Sequence, residues 1–174
     1  MSTKSTHACV APPLGAIHHV GLVVADRDRA VKLFGGDLGF GRAYEVEGPV
    51  TAELAHGIVT AQIKLAFLWM GNALLEIIQP VDELSVHAAY LKEHGEGLHH
   101  LAYMVGSVDE ELLRIGGGSR PPILANGTLA ENPLKWAYIH GQETHGAVIE
   151  LIERNAAAEA FFAAIYAAVG QRLA

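Results

Sequence analysis

Two His-His pairs and two glutamates sit in four short apolar segments of this 174-residue chain, and their order repeats. Ile17-His18-His19-Val20-Gly21-Leu22-Val23-Val24 returns as Leu98-His99-His100-Leu101-Ala102-Tyr103-Met104-Val105. Downstream of each copy lies an apolar run with one carboxylate at its middle, Leu74-Leu75-Glu76-Ile77-Ile78 and Val148-Ile149-Glu150-Leu151-Ile152. A carboxylate inside such a run is costly unless it is paired or bound to a cation. Two of them brought close together repel, which raises one pKa. Neutral imidazoles relieve little of that repulsion, whereas a divalent metal relieves it. Imidazole nitrogens and carboxylate oxygens together suit Zn, Fe, Co, Ni or Mn, with water in the open positions. Successive side chains on a strand point to opposite faces, so one histidine of each pair is expected to reach a shared cavity. A lone histidine is more often a hydrogen-bonded core residue than a ligand. Recurrence at corresponding points of two copies is what favours the metal reading.

The elements that must position these residues follow from pattern. Ile17 to Val24 is a short apolar, β-branched run and reads as a buried strand. Asp26 is a good helix N-cap, and Ala30, Val31, Leu33 and Phe34 make an apolar stripe behind it. Phe40 to Val46 reads as a strand, and residues 47–58, with Gly48, Pro49 and Gly57, as a loop. Ile63 to Met70 and Leu74 to Ile78 read as a hairpin turned by Gly71-Asn72. After the second His-His strand come a helix from Val108 to Ile115, an extended segment near Ile123, and a hairpin from Leu134 to Ile152. The Gly116-Gly117-Gly118 triplet follows a helix instead of opening one, so it reads as a loop and not a phosphate cradle.

The predicted class is therefore α+β: two βαβββ modules forming a half-barrel metal cleft, plus a C-terminal helix. The divisions are a flexible arm at 1–15, a first module at 16–82, a linker helix at 83–97, a second module at 98–154 and the helix at 155–174. Phe161, Phe162, Ile165, Tyr166 and Val169 give that last helix an apolar face at helical spacing.

Composition excludes several classes. The chain is 51% hydrophobic and 18% charged, which is globular rather than disordered. A net charge of -7 without a basic cluster argues against nucleic acid. No apolar run approaches the roughly 20 residues of a membrane helix, and the arm has no signal-peptide core. A single cysteine, Cys9, forms no internal disulfide, so the expected location is cytoplasmic. Ten histidines against 12 Lys and Arg are the compositional oddity.

These segments resemble the vicinal oxygen chelate superfamily, which contains glyoxalase I, methylmalonyl-CoA epimerase, extradiol dioxygenases and antibiotic-resistance proteins. Ile17 to Gly21 is similar to the family's opening Asp-His-Val-Gly strand, in which the second residue is the ligand. Asp26 to Phe40 resembles the helix and Leu-Gly-Phe that follow. Leu75-Glu76-Ile77-Ile78-Gln79-Pro80 and Gly146 to Leu151 resemble the two carboxylate strands, and Gly97 to Ala102 is similar to the epimerase segment. The resemblance implies His19, Glu76, His100 and Glu150 as ligands of one divalent ion (Co, Ni, Mn, Zn or Fe). It implies a small-molecule substrate that chelates the ion through two oxygens, and a homodimer.

The implied activity is an epimerase or isomerase. It would abstract a proton alpha to a carbonyl or thioester, with Glu150 and Glu76 as candidate bases and the metal stabilising the enolate. A glyoxalase-type lyase, an Fe(II) dioxygenase and a drug-binding protein of the same fold are the alternatives. Family epimerases carry His-Pro-Lys-Ser before the last strand; this chain has His140-Gly141-Gln142-Glu143 there. His140 at that strand end is the candidate substrate contact. His18 and His99 are expected to face helices or solvent, and His56, His87, His94 and His145 to lie in loops or on helix surfaces.

Overall fold

Period-two burial along the first strand sets the architecture. In β1 (His19–Val23), His19, Gly21 and Val23 are buried while Val20 and Leu22 are only partly so. The computed structural model describes residues 14–129, 133–140 and 146–170. The arm expected at 1–15, His145 and the departure at Gly141 to Glu143 therefore fall wholly or largely outside the described residues.

β1 leads to a short helix, α1 (Arg27–Val31), which Asp26 caps by accepting the Arg29 N–H at 2.9 Å. The helix widens into a π-type stretch, Lys32–Asp37. Then follow β2 (Tyr44–Leu54), β3 (Gly57–Trp69) and β4 (Leu74–Pro80). α2 (Val86–His94) is capped by Ser85 and joins them to β5 (Gly97–Val105). The second run is α3 (Val108–Ile115), β6 (Ile123–Leu129), β7 (Lys135–Ile139) and β8 (Val148–Glu153). α4 (Ala156–Val169), capped by Asn155, follows it. No described helix is long and apolar enough to cross a membrane.

The loop expected at 47–58 is instead most of β2 and the start of β3, joined by a turn at Ala55-His56. Val46, Val50, Ala52 and Leu54 keep a period-two pattern through the apparent breakers. Among the described residues Pro49 pairs with Gln62 of β3, and β2 pairs with β6 over Val50–Glu53. The turn at Gly71-Asn72 is as expected, with Gly71 at a φ of 103° and the Met70 N–H donating to the Ala73 carbonyl.

The eight strands close into one barrel in the order β1-β4-β3-β2-β6-β7-β8-β5. The first four strands in the chain are neighbours, as are the last four. The seams, β1 on β5 and β2 on β6, are both antiparallel and both lie within one chain. β4 lies parallel to β1, and β8 parallel to β5.

Alternation then sorts the core into three parts. Val23, Leu65, Phe67, Leu74, Ile78, Trp136, Tyr138 and Ile152 fill the interior, and Phe162 and Ile165 of α4 join them. On the outer face of the first four strands, Leu75 and Ile77 pack with Ala30 of α1. On the outer face of the last four, Ala137 and Leu151 pack with Val108 and Leu112 of α3.

Candidate metal centre

Strand register brings the four singled-out residues together. Gly21 of β1 stands opposite Glu76 of β4 on one side and opposite His100 of β5 on the other. Ala102 of β5 stands opposite Glu150 of β8 and opposite His19 of β1. Each row therefore reads glutamate, small residue, histidine, and the histidine comes from the other half of the chain. All members face the barrel interior. His19, Glu76, His100 and Glu150 are only 2%, 8%, 3% and 7% exposed.

One atom from each residue converges, the four lying within 4.8 Å of one another. His19 Nε2 lies 2.8 Å from Glu150 Oε2 and 3.2 Å from Glu76 Oε2. His100 Nε2 lies 3.3 Å from Glu76 Oε2, 3.4 Å from Glu150 Oε2 and 3.2 Å from His19 Nε2. Ligands about 2.1 Å from a common ion stand about 3.0–3.4 Å apart in octahedral or tetrahedral arrangements, so this spacing fits one ion. Glu150 Oε2 adds a second indication. It is buried and, although close to two imidazoles, has no partner in hydrogen-bond geometry. Such an atom is costly unless a cation faces it. Two imidazole nitrogens and two carboxylate oxygens are the donor set of Zn, Fe, Co, Ni or Mn.

Protons tell the same story for the bare cluster. Burial opposes a charge on His19, yet the Glu76 and Glu150 carboxylates outweigh it and raise its pKa to about 10. His100 is raised in the same way, burial again being overcome by Glu150 and Glu76. Burial works against ionising Glu76 and Glu150, but the two histidines hold both below the usual carboxylate range. Both histidines are therefore biased toward the positive charge that a cation at this point would otherwise supply.

The neighbouring histidines are not idle, and here strict alternation fails. β5 carries an irregularity: Gly21 pairs with His100 while Leu22 pairs with Leu98, which leaves His99 as the extra residue. The bulge lets His99, 6% exposed, set its Nδ1 3.0 Å from Nδ1 of His100. His18, just ahead of the β1 ladder, makes the same 3.0 Å contact with His19. Both do face helices, as expected. His18 packs on Phe162 and Tyr166 of α4, and His99 on Tyr90 and His87 of α2. Burial, then His19, lowers His18 to about 3. Burial, then His87 and His100, lowers His99 to about 2, so both rings are neutral at pH 7.

His87 corrects an expectation. It is buried, not on a helix surface, with Nε2 3.2 Å from the Tyr138 hydroxyl and Nδ1 unpartnered. Its α2 stripe is too weakly amphipathic for sequence to reveal this. His56 and His94 are exposed, as expected. His140 is also exposed. It does not line the small cavity at the cluster but borders a groove of about 830 Å³ lined by Tyr90, Leu98, His99 and His100. The cavity at the cluster itself is about 50 Å³, closed by Phe67, Trp136, Tyr138, Phe161 and Phe162.

Comparison with known proteins agrees with this architecture. Residues 18–116 match the family model of the glyoxalase/bleomycin resistance protein/dioxygenase superfamily, and the chain belongs to that superfamily. It is 30% identical over 92 residues to YqjC of Bacillus subtilis, a match spanning 53% of this chain and 66% of that one, just under two thirds. It is 27% identical over 146 residues to an ethylmalonyl-CoA/methylmalonyl-CoA epimerase of Cereibacter sphaeroides, covering 79% of this chain and 97% of the relative. The crystal structure of methylmalonyl-CoA epimerase from Mycobacterium tuberculosis superimposes with a TM-score of 0.57 at 27% identity, covering 83% of this chain and 91% of that one.

Proposed function

We propose that this chain is a divalent-metal-dependent epimerase or isomerase acting alpha to a carbonyl or thioester, with His19, Glu76, His100 and Glu150 as the ligands. The observation that carries the reading is the convergence of two glutamates and two histidines from four strands on one buried point. The epimerases among its relatives supply the reaction class. An ion held there would supply Lewis-acid polarisation of the substrate carbonyl.

The residues themselves divide the remaining tasks. Glu76 and Glu150 enter from β4 and β8, on either side of the β1–β5 pair. Epimerisation needs a base on one face of the α-carbon and an acid on the other. In this reading one carboxylate takes the α-proton, the C–H electron pair forms the enolate C=C bond as the carbonyl pair moves onto oxygen, and the enolate takes a proton back on the opposite face, beside the other glutamate, as the pair returns to carbon. Phe67, Tyr138, Phe161 and Phe162 exclude water from that cavity. A space of about 50 Å³ holds water but not an acyl thioester, so substrate entry requires the aromatic face of α4 to withdraw. Lys64 faces Glu47, and Lys135 faces Asp109 and Glu153, so neither lysine stands free for a phosphate tail. His140, at the groove rim, contacts the substrate's distal end in this reading.

The same proposal takes the two βαβββ runs as copies of one module, and the protein as a cytoplasmic homodimer whose cluster is complete in each chain. The deciding experiment is incubation of the metal-loaded protein in D₂O with methylmalonyl-CoA and a panel of α-chiral thioesters and ketones. Deuterium at the α-carbon supports the proposal; no exchange across the panel sinks it. Oxygen uptake with catechols would point instead to a dioxygenase.

A further inference from the structure

A ligand histidine has a second ring nitrogen, and in both halves of the barrel the same sequence neighbour takes it. A neutral imidazole carries one donor and one acceptor nitrogen. When Nε2 gives its lone pair to a metal, Nδ1 carries the proton. The Nδ1 atoms of His19 and His100 each face another Nδ1, on His18 and His99, at 3.0 Å. Those partners must therefore accept at Nδ1 and keep their own proton on Nε2. The structure meets that demand on one side with the Tyr166 hydroxyl of α4, 3.0 Å from His18 Nε2. On the other side His99 sits among the rings of Tyr90, His87 and Tyr138 and borders the large groove.

We propose that His18 and His99 are positioning residues. They fix the tautomer and ring orientation of His19 and His100 so that both Nε2 atoms meet at one ion, with Tyr166 completing the first of the two chains. The inference rests on the metal-centre reading above. Its geometry is built in twice by different means. On β5 the bulge brings His99 to the side of His100 that alternation would deny it. Ahead of β1, the Phe162 ring, with its centroid 4.3 Å from that of His18, holds His18 in place. Partners of ligand histidines are usually carboxylates or carbonyls; a neutral imidazole orients the ring without adding a charge to the cup.

The test is Co(II) binding to the full-length protein, by titration calorimetry and by the visible absorption of the bound ion. His18→Leu and His99→Leu are expected to weaken Co(II) binding roughly 10- to 100-fold. His18→Gln and His99→Gln restore most of it, because a glutamine amide also offers one acceptor and a donor. Tyr166→Phe shifts the Co(II) spectrum and weakens binding less than His18→Leu. Leucine variants that bind as well as wild type, or glutamine variants that lose as much as leucine, overturn the proposal. Should the leucine variants not fold, the Tyr166→Phe spectrum decides, an unchanged band counting against it. Wild-type protein that binds no Co(II) removes the metal-centre reading itself, a result distinct from any difference among variants.

Discussion

A methyl group placed on Gly21 would stand 2.1 Å from Cε1 of His100. The imidazole of one half of the barrel thus lies against the bare backbone of the other half's first strand. Ala102 holds the corresponding register position opposite His19. Gly21, two places beyond His19, thus makes room for the His100 imidazole.

Gly21→Ala should therefore act on His100 rather than on β1. The expected result is a loss of metal affinity of at least about tenfold, with overpacking costing about 1–3 kcal/mol of stability. Calorimetric titration beside chemical denaturation checks both. Ala102→Gly, which removes bulk, should leave metal binding close to wild type.

Metal and protons compete for the same nitrogens. The Glu76 and Glu150 carboxylates raise His19 to about 10 and raise His100 as well, burial opposing both. Binding should release protons at neutral pH, and affinity should climb as pH rises toward 10. Calorimetry in two buffers of different ionisation enthalpy measures the release. Equal heats in both buffers would contradict it.

The stability of the metal-free protein has the opposite slope on its alkaline side. A histidine raised from 6.5 to about 10 contributes stability that is fully present below pH 6.5 and lost as pH passes through about 10. The depressed Glu76 and Glu150 contribute stability that is present above their unfolded pKa and lost as pH falls through the folded one. Thermal melts after chelation should therefore peak between these limits. Saturating metal should flatten the alkaline decline, since the bound nitrogens no longer carry protons.

Glu76→Gln and Glu150→Gln keep an oxygen in place but remove one charge each. Both should weaken metal binding, and each should abolish epimerisation while leaving α-proton exchange on the face of the remaining glutamate, because one base still exchanges the proton it removes. Exchange and inversion followed separately in D₂O under saturating metal distinguish loss of binding from loss of one base. A variant that binds metal and still epimerises at the wild-type rate would free its glutamate of the catalytic role.

The two phenylalanines of α4 should behave differently. Phe162, 5% exposed, is part of the interior core, and Phe162→Ala should cost about 3–5 kcal/mol. Phe161 is only partly buried at the cavity, so Phe161→Ala should cost less and open the approach to the cluster. A rise in kcat/KM for bulky substrates with Phe161→Ala checks the requirement that α4 withdraw.

The primary structure alone singled out His19, Glu76, His100 and Glu150, which the fold then brings together, and most of the order of the elements. Both are local properties: a histidine or glutamate stands out inside an apolar run, and the same contrast occurs twice along the chain. It also marked the cap at Asp26 and the turn at Gly71-Asn72, because these depend on a few adjacent residues. It misled at Gly48-Pro49, where the antiparallel pairing of β2 with β3 runs straight through the apparent breakers. Tertiary structure decided everything that depends on register between distant strands. Gly21 acquires its meaning only when His100, far along the chain, pairs with it. The bulge that turns His99 toward His100, the burial of His87 and the Tyr166 contact to His18 likewise arise from packing across the closed barrel. The periodicity of a strand carries which face a side chain prefers; it carries neither the partner strand nor the slip of one residue that changes that face.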